Sequence, residues 1–276
     1  MKFDIELVGK IGSMALINKE TQDINYNIIA RISRELDPSF IWVTSGAVEI
    51  GRLDYIKRNG KELVGDKNEN KADYSAQGQT ILMTKYREFL DPRYSLRQIL
   101  VEHVHFNDEV KREQLKKMLL RAPEQNAVSI INYNDAVCNE ENLRFEIEEI
   151  ASRTGKKQTV GIDNDETAAS IATLVKAKTL LILTVADGIY ENPEDSSTLV
   201  SHIGGKDIYE LIDNVEYYKS KCKGASRSGA GGAAAKLKYI QPALQNGTRV
   251  IIANAKYSIG DILNGKAPRT LIQADK

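Results

Sequence analysis

The chain has 276 residues, 42% of them hydrophobic, and 38 lysines and arginines balance 38 aspartates and glutamates. That length fits one large domain or two lobes sharing a sheet, and the balanced charge excludes a global basic field for nucleic acid or a membrane. Cys138 and Cys222 form no C-x-x-C and no zinc pattern with the three histidines, and no apolar run approaches the ~20 residues of a membrane span, so a reduced, cytoplasmic setting without a signal peptide is expected.

Phe3–Leu7 alternates apolar and charged residues and predicts a strand. Val8-Gly9-Lys10-Ile11-Gly12-Ser13 then reads as a glycine turn, with backbone amides aimed at a phosphate and Lys10 as a fixed cation. The spacing is not that of a P-loop, and a surface lysine in an ordinary turn carries comparable weight. Residues 22–36 place Ile24, Ile28, Ile29, Ile32 and Leu36 on one helix face, stopped by Asp37-Pro38. Phe40–Val43 suits a buried parallel strand, and Thr44-Ser45-Gly46-Ala47-Val48 follows it. The Ser45 hydroxyl and Gly46 amide can grip a carboxylate at a helix start, although a plain N-cap serine is the commoner reason for such a pattern.

Residues 52–74 are charged and read as a flap or an inter-subunit surface, and Ala76-Gln77-Gly78-Gln79 opens the next helix. Arg97–Val104 reads as a strand that carries His103 toward the same side as His105; two ordinary histidines are favoured over a metal pair, since no third ligand is spaced nearby. Ala127–Ile131 is a strand ending in Asn132-Tyr133-Asn134-Asp135-Ala136-Val137, polar residues where α/β sheets collect ligands, with an Asx turn as the alternative. Asn139–Lys157 is a second charged excursion, read as a solvated hairpin or flap.

Thr159–Tyr190 organises the chain. Asp163 and Asp165 flank Asn164 at a helix start, where an anion or its metal is readily held. Leu180–Thr184 is a buried strand that leads to Val185 and a polar loop. Asp207–Ile212 is a short helical patch. Gly224–Lys236 brings Gly229, Gly231 and Gly232 before an alanine helix, whose first turn carries Lys236 against the helix dipole; Pro242 is expected to kink that helix. Arg249–Ala253 is read as the final strand and Ile259–Leu263 as a short helix. The alternation of strands and helices predicts an α/β fold with a largely parallel sheet. Two lysines with two glycine turns fit phosphoryl transfer, in which a protein mainly positions groups and neutralises charge.

The ordered set VGKIGS, VTSGAV, SAQGQ, INYNDAV, GIDNDETAA, LILTVADGIY and GAGGAAAK resembles the amino acid kinase superfamily, and within it the glutamate 5-kinases. The resemblance implies a three-layer αβα sandwich with an open central sheet. Its N-terminal lobe, about residues 1–175, would hold the acceptor, and its C-terminal lobe, about 176–276, would hold ATP. It implies phosphorylation of the glutamate side-chain carboxylate, a reaction of proline biosynthesis, by an assembly of identical subunits. Lys10 would stabilise the transferring phosphoryl group, Lys236 the nucleotide phosphates, and Asp163 would orient the lysines, with Asp165 helping or only capping the helix. Ser45, Gly46, Asp135 and Asn164 would hold the amino acid. Gly12, Thr184, Val185, Gly231 and Gly232 would line the nucleotide, with Mg²⁺ carried mainly by ATP phosphates rather than by a protein site. The chain departs from the family at Val185, where Asp usually follows Thr, at Ala233-Ala234-Ala235, and in both charged segments. Many members add an RNA-binding-like PUA domain, which is not expected here. A kinase for another small acceptor or a nucleotide monophosphate, and a non-catalytic nucleotide-binding regulator, are the alternatives.

Overall fold

The computed structural model describes residues 3–138, 163–222 and 232–275. Within them, an eight-stranded sheet is covered by helices on both faces. The strands are β1 (Ile5–Ile11), β2 (Phe40–Thr44), β3 (Ser95–Val101), β4 (Ala127–Tyr133), β5 (Ala177–Thr184), β6 (His202–Ile203), β7 (Arg249–Asn254) and β8 (Arg269–Ile272). Their spatial order is β6-β8-β7-β5-β1-β2-β4-β3. The β3, β4, β2, β1, β5 and β7 strands are parallel, while β8 runs antiparallel to β7 and carries β6 parallel to itself. The predicted α/β sandwich with a largely parallel sheet is what the chain adopts. The expectation that Arg249–Ala253 is the last strand is corrected: β8 follows it, and buried Thr270 and Ile272 hold it in the sheet.

The strands form here because both faces of the sheet are buried. Alternate residues of β1 and β5 go to opposite cores. Val8, Leu180 and Ile182 pack with Ala168, Ala169 and Ala172 of a helix at Asn164–Leu174. Leu7, Ile11, Leu181 and Leu183 pack on the other face with Trp42, Ile29, Ile32 and Leu82. Full burial of such a side chain contributes about 1.5–3 kcal/mol. This two-sided demand carries β1 past the predicted glycine turn, so Lys10 lies inside the strand rather than after it. Gly9 serves the packing: a Cβ there would stand 2.0 Å from the Trp42 ring. Trp42 Nε1 donates to the Tyr86 hydroxyl at 3.1 Å, and that hydroxyl also meets Thr44 Oγ1 at 2.9 Å.

The charged stretch 52–74 is not a flap. Most of it belongs to α1 (Ala47–Asn59) and α2 (Lys67–Phe89). The α2 helix starts at Lys67, nine residues before the start expected at Ala76, and is capped by Asp66, whose carboxylate accepts from the Asn68 and Glu69 amides. The two helices meet backbone to backbone. A Cβ on Gly51 would lie 1.8 Å from the Tyr74 carbonyl oxygen, and one on Gly78 would lie 1.8 Å from the Ala47 carbonyl oxygen. The strand expected over Arg97–Val104 stops at Val101, and a one-turn helix at Val104–Asn107 follows. His103 and His105 therefore do not alternate along a strand. The Asp207–Ile212 patch extends into a helix over Ile208–Lys221, and Pro242 starts a separate short helix, Gln241–Gln245, after α3 (Ala233–Tyr239) ends. No described helix is long and apolar enough to cross a membrane.

The Gly51–Gly78 crossing gives a direct test. Gly78→Ala is expected to destabilise the protein by about 1–3 kcal/mol through overpacking. Gly260→Ala meets nothing within 4 Å and sits in a short helix, so it is expected to be neutral or stabilising by up to ~1 kcal/mol. Urea unfolding midpoints of the two variants check this, and equal losses would show that the close approach has no special role.

Candidate active site

Parallel strands bring their carboxyl ends to one edge, and chemistry-bearing residues collect there. Lys10 is the last polar residue of β1 and faces the helix Asn164–Leu174. Its Nζ lies 2.6 Å from Asp165 Oδ1. Lys236, on α3, reaches the same carboxylate from the other side, with Nζ 2.8 Å from Oδ2. The side chain of Asp165 is 3% exposed, that of Lys10 7% and that of Lys236 16%. One buried carboxylate thus holds two ammonium groups that come from opposite ends of the chain.

The two aspartates divide their work differently from the expectation. Asp163 is the N-cap: its carboxylate accepts the Asp165 amide at 2.8 Å. Asp165 stands two positions into the helix and points at the lysines. The assignment of Asp163 as the lysine-orienting group is therefore corrected, because capping the helix engages its carboxylate with the main chain. Burial alone would raise the Asp165 carboxyl, but the charges of Lys10 and Lys236 outweigh it and hold it below its ordinary range. Burial, reinforced by the charge of Asp165, pushes Asp163 above its ordinary range.

A polar network lies on the acceptor side. Asn164 Nδ2 donates to Asn132 Oδ1 at 3.1 Å, and Asn132 Nδ2 donates to Gln79 Oε1 at 2.8 Å. The Tyr133 amide donates to Asn164 Oδ1 at 3.3 Å. Asp135 follows β4 and pairs with Lys71 of α2, Oδ1 to Nζ 3.3 Å. Asn134 Nδ2 donates to Glu102 Oε1 at 2.8 Å. Ser45 and Gly46 stand between β2 and α1; the Ser45 amide is bound by Ile11 O at 3.1 Å, and Gly46 adopts φ +103° as the α1 N-cap. That leaves the leading amides of α1 as the anion-facing groups there. Asn132 belongs to the polar run expected to collect ligands, whereas Gln79 and Lys71 were not singled out from the sequence: Gln79 was read only as part of a helix start, and Lys71 sat in the stretch taken for a flap.

On the other side, Thr184 ends β5, and Val185 is exposed, its carbonyl oxygen accepting from Asn254 Nδ2 at 2.8 Å. The Gly12 amide donates to Leu183 O at 3.1 Å, which corrects the expectation that it is offered to a ligand oxygen. The cause is the β1–β5 ladder, which extends one residue beyond the strand. A Cβ on Gly12 would lie 3.7 Å from Lys10 Nζ, so what the glycine provides is room beside the lysine. Gly232 is the N-cap of α3, whereas Gly224, Gly229 and Gly231, like the excursion Asn139–Lys157, lie outside the described residues. His105 Nδ1 accepts the Glu102 amide at 3.0 Å, and no group of three or more His, Cys, Asp and Glu among the described residues could hold a metal ion.

The model of the amino acid kinase family matches residues 6–254. Curated relatives include glutamate 5-kinase of Clostridium perfringens, 28% identical over all of this chain and 98% of the relative. Glutamate 5-kinase of Alkaliphilus metalliredigens is 28% identical over 98% of this chain and 96% of its own. Among solved structures, UMP kinase from Ureaplasma parvum aligns at TM-score 0.54 with 14% identity, covering 99% of each chain. A structure from Aeropyrum pernix K1, titled only by its project, aligns at TM-score 0.58 with 12% identity, covering 98% of this chain and all of that one. At these identities the solved structures speak for the fold alone.

Asp165→Asn strips the counter-charge from one buried and one partly buried ammonium group and is expected to cost about 3–5 kcal/mol. Asp163→Asn keeps a capping oxygen and is expected to cost less than about 1 kcal/mol. The Asp165 contribution is present above the unfolded carboxyl value of about 4 and is lost as pH falls through its depressed folded value. Denaturation of both variants between pH 7 and pH 3 checks this; a larger loss in Asp163→Asn would reverse the assignment.

Proposed function

The chain belongs to the amino acid kinase family, and we propose that it transfers the terminal phosphoryl group of ATP to the side-chain carboxylate of glutamate, giving glutamyl 5-phosphate. The observation that carries this reading is the pair of lysines, Lys10 buried and Lys236 partly buried, shared by buried Asp165 at the carboxyl edge of a parallel sheet. Phosphoryl transfer asks for positioned positive charge around three equatorial oxygens and little covalent chemistry from the protein. Lys10, rigid on the central strand, suits the oxygens of the transferring group. Lys236, on α3 behind the Gly232 cap, suits the nucleotide phosphates. Asp165 holds both ammonium groups at fixed positions.

In the proposed reaction a glutamate carboxylate oxygen attacks the γ-phosphorus, and the bond from phosphorus to the β,γ-bridging oxygen breaks. The electron pair leaves with ADP. No general base is required, because the attacking carboxylate is ionised at neutral pH. Mg²⁺ bound to ATP would supply further charge neutralisation. Such an ion would be held mainly by the nucleotide phosphates and water. The N-terminal amides of α1 with Ser45 would face the reacting carboxylate, Asp135 and Asn164 the amino-acid end, and Thr184 and Val185 the nucleoside. Glutamate is preferred as acceptor because of the glutamate 5-kinase relatives. The departures at Ala233-Ala234-Ala235 and in the two charged segments keep a second small acceptor as the other reading. A cytoplasmic homo-oligomer is the setting we propose for the enzyme.

With ATP, Mg²⁺ and glutamate, hydroxylamine is expected to trap an acyl hydroxamate. Lys10→Ala is expected to lower kcat by about 10²-fold or more, with a much smaller change in ATP affinity. Hydroxamate from another acid, or turnover of a nucleoside monophosphate, in place of glutamate would move the assignment to the second reading. ATP binding with no acceptor-dependent ADP release would instead mark a non-catalytic regulator.

A further inference from the structure

Lys71 belongs to no motif that the phosphoryl-transfer reading uses, yet it stands at the acceptor side. It lies eight residues before Gln79 on α2, so the two share a helix face. Gln79 is hydrogen-bonded to Asn132 beside Asn164, while its Nε2 is buried without a hydrogen-bond partner. Lys71 Nζ is 3.3 Å from Asp135 Oδ1, and the two side chains are 35% and 15% exposed. The pair is therefore partly exposed, while Gln79 and Asn132 are buried.

We propose that Lys71 is a specificity-determining residue of the acceptor site, acting with Asp135 as a paired-charge template for an α-amino acid. This rests on the glutamate reading above. A zwitterionic α-carbon carries an ammonium and a carboxylate a few ångströms apart. A fixed lysine–aspartate pair presents the complementary charges at a like spacing. Asp135 takes the ammonium and Lys71 the α-carboxylate, which leaves the side-chain carboxylate free to meet the phosphoryl group near Lys10. An acceptor lacking either charge leaves one member of the pair facing a neutral group. Recognition of this kind rejects an uncharged analogue more strongly than an apolar pocket rejects an altered shape.

The test compares L-glutamate with L-isoglutamine, which keeps the side-chain carboxylate and the ammonium but carries an α-carboxamide. Steady-state KM and kcat are measured for the wild-type chain and for Lys71→Met and Lys71→Arg. Wild type is expected to favour glutamate by about tenfold or more in KM, the scale of one hydrogen bond to a charged group. Lys71→Met is expected to raise KM for glutamate by a similar factor and leave that for isoglutamine nearly unchanged, with kcat within about threefold on the same scale. Lys71→Arg is expected to keep most of the discrimination. A wild type that does not distinguish the two compounds overturns the proposal, whether or not the variants fold. So does an equal rise for both compounds in Lys71→Met, which marks a structural role. A fall in KM for glutamate in that variant also overturns it, because Lys71 would then be an internal competitor for Asp135. Wild type that phosphorylates neither compound removes the glutamate reading and this one with it, whereas turnover of glutamate with unaltered discrimination in Lys71→Met removes only the role of Lys71.

Discussion

One carboxylate with two ammonium groups sets the requirements that the rest of the site obeys. Burying a charge is costly unless it is paired and hydrogen-bonded. Asp165 meets that condition with both oxygens engaged, one by Lys10 and one by Lys236. It also sits in the first turn of a helix, where the exposed amides and the dipole favour an acid. The arrangement works only if three distant pieces of chain arrive together. These are the central strand that carries Lys10, the helix that carries Asp165, and the short helix that carries Lys236.

The sheet supplies that convergence. β1 lies between β2 and β5, so Lys10 is fixed by ladders on both sides. Its neighbour Gly9 faces the Trp42 ring on the opposite side of the sheet, and Trp42 is anchored in turn by Tyr86 of α2. Burial pushes the Tyr86 hydroxyl up to about 12, which keeps it a neutral bridge between Trp42 and Thr44. The packing that sets the depth of Lys10 thus passes through the same helix that carries Gln79 and Lys71 to the acceptor side. Core and site share their supports.

Much of this was legible from residue patterns, and the failures have specific causes. Short continuous apolar runs located β2, β4 and β5, and the polar residues after them are at the carboxyl edge. The glycine signal misled at Gly9, because glycine marks a close approach as readily as a turn, and only the position of Trp42 distinguishes them. At Asp163 and Asp165 the sequence offers two acids at one helix start. Which one caps is decided by two residues of register, since the N-cap side chain turns back to the amides while the second helical residue projects away from the helix axis. α2 was read too short because its first turns are polar; Asp66 as N-cap is the signal that identifies its start. β8 was passed over because it is only four residues long and Arg269 and Thr270 interrupt its apolar pattern.

The charges of the site nearly cancel. Lys10, Lys236 and Lys71 stand against Asp163, Asp165 and Asp135, just as 38 basic residues stand against 38 acidic ones in the whole chain. Under the proposed reading, such a site has no strong net field with which to attract a polyanion. Its affinity then comes from exchange of partners. Phosphate oxygens approach ammonium groups already held in place by Asp165, so little side-chain freedom remains to be lost on binding. The metal carried by ATP fits the same logic, because it brings its own neutralising charge to a site that has little to spare. A fixed, internally balanced set of charges favours a ligand whose charges match its geometry over one that is merely more anionic. That is the property a kinase requires when it must tell one small carboxylate acceptor from the many others around it.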